Sequence, residues 1–216
     1  MLDSLRRLAL AALATAVLAP DSALGLPLIS EVFYDAAGSD DGLGFVEIHG
    51  APGTSLAGLV IEGVNGADGA VTVSIALAGS IPGDGLFVLA DRLADGTTLV
   101  AGADLLADFD FQNGPDSIVL RGPAGPLDAV GYGVFGAGTV FAGEGQPASD
   151  PPAGSSLARP FADVDSNDNA LDFAALASPT PGAAAFLSVP EPAPFLLGLA
   201  GLASLAAASA APPRRR

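Results

Sequence analysis

Short apolar runs alternate with clusters of Gly, Pro, Asn and Asp along the middle of this chain, and apolar positions at helical spacing are missing there. The clearest run is Val71-Thr72-Val73-Ser74-Ile75-Ala76-Leu77, aliphatic at odd positions and small or polar at even ones. A period of two predicts a strand with one face buried. Similar strands are expected over residues 28–34, 45–49, 59–64, 86–90, 117–121 and 128–132. Turn residues fall between them: Gly38-Ser39-Asp40-Asp41-Gly42, Asn65-Gly66, Pro82-Gly83-Asp84-Gly85 and Asn113-Gly114-Pro115. Seven short strands at this spacing predict an all-β domain, an antiparallel β-sandwich. Residues 136–156 are rich in Gly, Ala and Pro and predict a long loop, and residues 178–189 predict a Pro/Ala stalk.

The two ends follow a different pattern. Arg6 and Arg7 precede an apolar stretch over 8–19, which Pro20-Asp21-Ser22 breaks. Ala23 and Gly25 then place small residues where a signal peptidase cuts, so residues 1–25 are expected to be a signal peptide removed after Gly25. A retained membrane anchor is the alternative. At the other end Val189-Pro190-Glu191-Pro192 leads into an apolar segment over 193–211, and Pro212-Pro213-Arg214-Arg215-Arg216 closes the chain. A helix over 195–211 would be about 25 Å long, enough to cross a thin bilayer. Arg214, Arg215 and Arg216 would then stay on the cytoplasmic side. Pro190 and Pro192 bar an earlier helix start. An ordinary anchor or a buried Ala/Leu helix is the alternative. The expected divisions are 1–25, a sandwich domain over 26–182, a stalk with the Pro-Glu-Pro motif over 183–192, a transmembrane helix over 193–211 and a basic tail over 212–216.

Charge narrows the function classes. Of 24 acidic and 8 basic residues, 22 acidic residues but only Arg92, Arg121 and Arg159 lie between Leu26 and Pro192, a net of −19. Such a surface repels phosphates, which excludes nucleic acid as a partner, and it attracts cations. There are no cysteines, so neither disulfides nor thiol chemistry enters.

Candidate catalytic groups are few, and no catalytic residue is assigned. His49 is the single imidazole, and no Gly-x-Ser-x-Gly elbow accompanies it. Glu31 and Glu47 would make a carboxylate pair for glycoside hydrolysis. Their alternation puts them on one face of an open sheet, without an aromatic platform for a sugar. A secreted hydrolase therefore stays a minor alternative. Calcium is the stronger candidate cofactor. Asp163, Asp165 and Asn167 fall at positions one, three and five of an EF-hand-like loop, with Asp168 where the glycine belongs and Ala174 where the bidentate Glu belongs. The same residues also suit an Asx-rich turn that bonds its own backbone. Both readings stay open, as does the calcium-dependent adhesion module that the first implies. Asp40-Asp41 is a second, weaker acidic turn.

Two resemblances add to this. The C-terminal motif, apolar span and basic end, in that order, resemble the PEP-CTERM sorting signal of bacterial surface proteins, which implies processing near Pro190-Glu191-Pro192 by an exosortase. Residues 28–182 are similar to the lamin-tail domain. The similarity is carried by Leu28-Ile29-Ser30-Glu31-Val32, Gly44-Phe45-Val46-Glu47-Ile48, Leu56-Ala57-Gly58-Leu59-Val60-Ile61 and the stretch from Ile81 to Leu89. Asn113 to Leu120, Leu127 to Tyr132, Ser156-Leu157-Ala158-Arg159-Pro160, Asp165 to Asn169, Asp172-Phe173 and Thr180-Pro181-Gly182 complete the ordered set. His49-Gly50 departs from the family's usual pair at the end of the second strand. The resemblance implies an immunoglobulin-like sandwich that serves as a structural or interaction module. Together the readings describe a protein exported through signal peptidase and anchored in the inner membrane by its C-terminal helix. It would then reach the cell surface or the exopolysaccharide-rich matrix and meet an envelope or matrix partner there.

Overall fold

The computed structural model describes residues 25–183. The expected signal peptide with Ala23, the sorting motif at Val189 to Pro192, the apolar span and the arginine tail lie outside the described residues. No helix among the described residues is long and apolar enough to cross a membrane.

All seven expected strands form: β1 (Leu28–Phe33), β2 (Phe45–His49), β3 (Val60–Asn65), β4 (Val71–Ala76), β5 (Leu86–Asp91), β7 (Asp116–Gly122) and β8 (Gly125–Tyr132). Three more are β6 (Leu105–Ala107), β9 (Ser156–Ala158) and β10 (Ala174–Leu176), each of three residues, and one short helix α1 spans Asn169–Asp172. Three residues are too few to display a period of two, so pairing alone makes these segments strands. Residues 136–155 form no strand, with Ala148 bridging Tyr132 and the Ala142 amide donating to Ser117 Oγ in β7, and β9 begins at Ser156.

The strands make two sheets, ordered β10-β9-β1-β2-β5-β6 and β4-β3-β7-β8. Ile29, Val46, Ile48, Phe87 and Leu89 of the first face Ile61, Val73, Ile118, Leu120 and Val130 of the second in one buried cluster. The molecule is therefore a β-sandwich. Tyr34 stacks on Tyr132 in this core with ring centroids 4.0 Å apart, and the Tyr132 hydroxyl donates to the Gln112 carbonyl at 2.9 Å. One correction to a purely antiparallel sandwich follows from the chain path. β6 runs parallel to β5. A parallel neighbour needs a long crossover, which residues 92–104 provide.

The six-stranded sheet is not open on its outer side. Phe33, Phe45, Val88 and Ala90 form a second buried cluster there with Ala36 and Val100 from loops. Every residue of β5 is accordingly buried, which is why its sequence is nearly all apolar rather than alternating.

Candidate functional site

Where the C-terminal third of the domain returns to the sheets, its polar residues converge on one guanidinium. Arg159, just past β9, is 3 % exposed. Its Nε donates to the Ile29 carbonyl at 2.8 Å and its Nη1 to the Val164 carbonyl at 2.7 Å. Nη2 donates to Asp128 Oδ1 at 2.9 Å, while Nη1 lies 3.1 Å from Asp172 Oδ2 and 3.5 Å from Asp165 Oδ1. The guanidinium also stacks 4.4 Å from the centroid of the Phe173 ring, a cation–π contact. Asp128 sits in β8, in the other sheet, and accepts the Ile29 amide at 2.6 Å and its neighbour Ala129's at 2.8 Å. The ion pair thus joins the two sheets at one end of the core.

α1 feeds the same cluster. Asp168 caps it by accepting the Ala170 amide, and Asp172 accepts both the amide and the hydroxyl of Ser166, at 2.9 and 2.6 Å. Burial works against ionising Asp172, but Ser166 and Arg159 outweigh it and hold the carboxyl below its ordinary value. Asn169, fully buried, extends the ladder of β8: its Nδ2 donates to Ala129 O at 2.7 Å, and its Oδ1 accepts the amides of Gly131 and Glu144 at 2.8 and 2.9 Å.

The expected calcium loop is distributed across this region. Asp165 accepts the Asn167 amide at 3.0 Å, with Asn167 in the left-handed conformation at φ 57°. Asp168 accepts the amides of Ala170 and Gln146. The bonds to Asn167 and Ala170 are the self-bonding contacts of an Asx turn, while the bond to Gln146 ties the loop before β9 to it. Asp163 exerts its charge on His49 instead. Of the four, Asp165 joins a group of acids that the sequence did not suggest: one oxygen each of Asp128, Glu144 and Asp165 lies within 4.8 Å of the others. Glu144 Oε2 is buried, and no donor among the described residues reaches it. Burial, then the charges of Asp128 and Asp165, push the Glu144 carboxyl up to about 7 despite Arg159. Burial likewise raises Asp128, with Arg159 and the Ile29 amide opposing it.

The remaining candidates lie elsewhere. His49 ends β2, half-buried, and burial lowers its basicity with Asp163 working the other way. Asp40 and Asp41 line a cleft of about 310 Å³ with Asp91, Asp108 and Asp110 over Phe109 and Phe111. Burial first, then Asp40 and Asp91, raise Asp110. Glu31 and Glu47 stand directly opposite each other on β1 and β2. They are 2 % and 1 % exposed, so their face of the sheet is covered, contrary to the open sheet expected from alternation. Compared with known proteins, the chain matches no family model, no curated protein and no solved structure.

Proposed function

We propose that this protein is an exported surface or extracellular-matrix module built on an immunoglobulin-like, lamin-tail-like sandwich, which acts by structure and interaction rather than by turnover. The observation that carries this reading is the fate of its most distinctive polar motif. Arg159 spends its hydrogen bonds on Ile29 and Asp128 and Asn169 on Ala129 and Gly131, pinning the end of the domain onto the sheets, while Asp165, Asp168 and Asp172 bond the turn and helix around them. Signal peptidase would act near Ala23 and Gly25, and the C-terminal span would hold the chain in the inner membrane. An exosortase-type enzyme would then process it near Pro190-Glu191-Pro192, freeing the acidic domain for an envelope or matrix partner. The test is the mass and location of the mature protein with and without alanines at Pro190, Glu191 and Pro192. Wild type is expected to end near the motif and leave the inner membrane while the variant stays anchored. Retention of Arg216 in both proteins would overturn the sorting reading.

One observation favours a second reading, calcium binding. Asp128, Glu144, Asp165 and Asp172 place four carboxylates around one guanidinium, and Glu144 Oε2 has no donor. A hard divalent cation held by Asp128, Glu144 and Asp165 would satisfy that oxygen and offset the excess charge. Calcium at about a hundred times its Kd would then stabilise the fold by roughly 2.7 kcal/mol, read as a rise in Tm, and Glu144→Gln would abolish the rise. A Tm indifferent to calcium in wild type would remove this reading and leave a proton on Glu144 as what relieves the charge.

A further inference from the structure

Glu31 and Glu47 form a buried like-charged pair without a cation. A bulge at Ser30 and Glu31 lets both residues oppose Glu47 on one side of the sheet. None of the ion pairs among the described residues involves either glutamate. Like charges directly opposite in neighbouring strands destabilise a sheet, and buried carboxylates must be hydrogen-bonded. Two donors belong to the sheet: Ser30 Oγ reaches Glu47 Oε1 at 2.8 Å, and Ser156 Oγ reaches Glu31 Oε1.

The other three come from the last described residues. Thr180 donates its amide to Glu31 Oε1 at 2.9 Å and its hydroxyl to Glu31 Oε2 at 2.7 Å, and the Gly182 amide donates to Glu47 Oε2 at 2.8 Å. Local sequence explains the fit. In Thr180-Pro181-Gly182-Ala183 the Ala183 amide bonds the Thr180 carbonyl at 2.8 Å and Gly182 has φ 76°, a turn with Pro second and Gly third. Pro181 has no N–H, so the donors are the residues on either side of it, two apart. Two extended residues span at most about 7 Å, against a strand spacing of about 4.8 Å, so Thr180 over β1 puts Gly182 over β2. On its far side the turn borders an open groove of about 590 Å³ with Phe33, Phe45, Leu99 and Val100, so little apolar packing fastens it there.

We infer that Glu31 and Glu47 are a latch that clasps the Thr180–Ala183 turn to the sandwich, fixing where the C-terminal tail departs, and that the turn releases on loss of a proton while the sheets stay folded. Unlatching exposes the Glu47 carboxyl to water, where it ionises freely. Clasping buries it, and burial first, then the charges of Glu31 and Asp84, pushes Glu47 up to about 7 from 4.5, against the bonds from Ser30 and Gly182. Arg159 lines the same pocket, but its charge is committed to Asp128, Asp165 and Asp172. The sign follows: the clasped state holds more protons, so it is favoured at acid pH and weakens as pH rises through about 7. A consequence for sorting rests on the reading above; the latch itself does not.

The test is amide hydrogen exchange on the full-length chain, corrected for intrinsic rates. Protection of the Thr180 and Gly182 amides relative to Val46 is expected to fall by up to about tenfold per pH unit over the window set by 4.5 and about 7. Glu47→Gln, which mimics the protonated carboxyl, is expected to keep the turn protected and flatten that dependence. Thr180→Val, which spares the sheet, is expected to lower protection at Gly182 with Val46 unchanged. Protection that tracks Val46 at every pH and in both variants would overturn the latch. Because exchange is read on purified protein, its failure is distinct from a failure of the sorting reading, which the mature mass decides.

Discussion

Asp128 in β8 and Arg159 just past β9 are 31 residues apart in sequence and come from different sheets' ends, yet neither carries exposed side-chain surface. Removing one partner of a buried pair leaves the other charge uncompensated, at a cost of about 3 to 5 kcal/mol. Asp128→Ala is therefore expected to destabilise the domain by that much in urea melts, since it also removes the acceptor of the Ile29 amide. Asp128→Asn, which keeps an acceptor, should cost less, and combining Asp128→Ala with Arg159→Met should recover part of the loss. A cost below about 1 kcal/mol for Asp128→Ala would mean that Asp165 and Asp172 hold Arg159 unaided. At this scale the resemblance picked out Arg159, Asp165 and Asp172 in three separate stretches, but nothing local marked Asp128, Glu144 or Asn169 as their partners. Asp128 reads as one polar position in an alternating strand, and Glu144 falls in a Gly-rich loop.

At the scale of elements, the strands that alternate or run apolar for five residues or more announce themselves. β4 is the plainest, with Val73 buried, Leu77 buried just past its end, and Thr72 and Ser74 exposed along the edge of its sheet. β5, buried on both faces, is legible by its run of Leu86-Phe87-Val88-Leu89-Ala90. β6, β9 and β10 are strands only because β5, β1 and β9 offer them edges to bond. α1 likewise exists through its cap at Asp168 and its ties to β8, too short to stand on helical propensity. The Thr180–Ala183 turn is the counterexample: its chemistry is written in four residues, but what it clasps is not.

Across the whole molecule, the two glutamates pushed up to about 7 make stability depend on pH. Glu47 and Glu144 both sit at about 7 when folded, against 4.5 for an unburied glutamate. The folded state therefore binds more protons than the unfolded chain between those values, so their contribution is complete below 4.5 and is lost as pH rises to about 7. Asp172, held low, acts oppositely and withdraws support only as pH falls below its ordinary 3.8. The net charge of −19 between Leu26 and Pro192 adds repulsion that also eases on acidification. Tm is thus expected to be higher near pH 5 than near pH 8, by several degrees for a Glu47 contribution on the order of 2 kcal/mol. The double variant Glu47→Gln/Glu144→Gln should flatten the profile, and a Tm that rises from pH 5 to pH 8 would contradict the sign.

The sequence by itself determined the strands whose pattern repeats every two residues, the turns between them and the acidic surface, because each depends on neighbours within a few positions. Only the tertiary structure decided that Glu31 faces Glu47 under cover, that Asp128 meets Arg159, and that Glu144 is left with an unanswered oxygen. Those meetings depend on a one-residue bulge in β1, on which strands lie side by side and on where the chain returns after long loops. Register and loop closure are settled by the whole set of long-range contacts, and no local pattern encodes them.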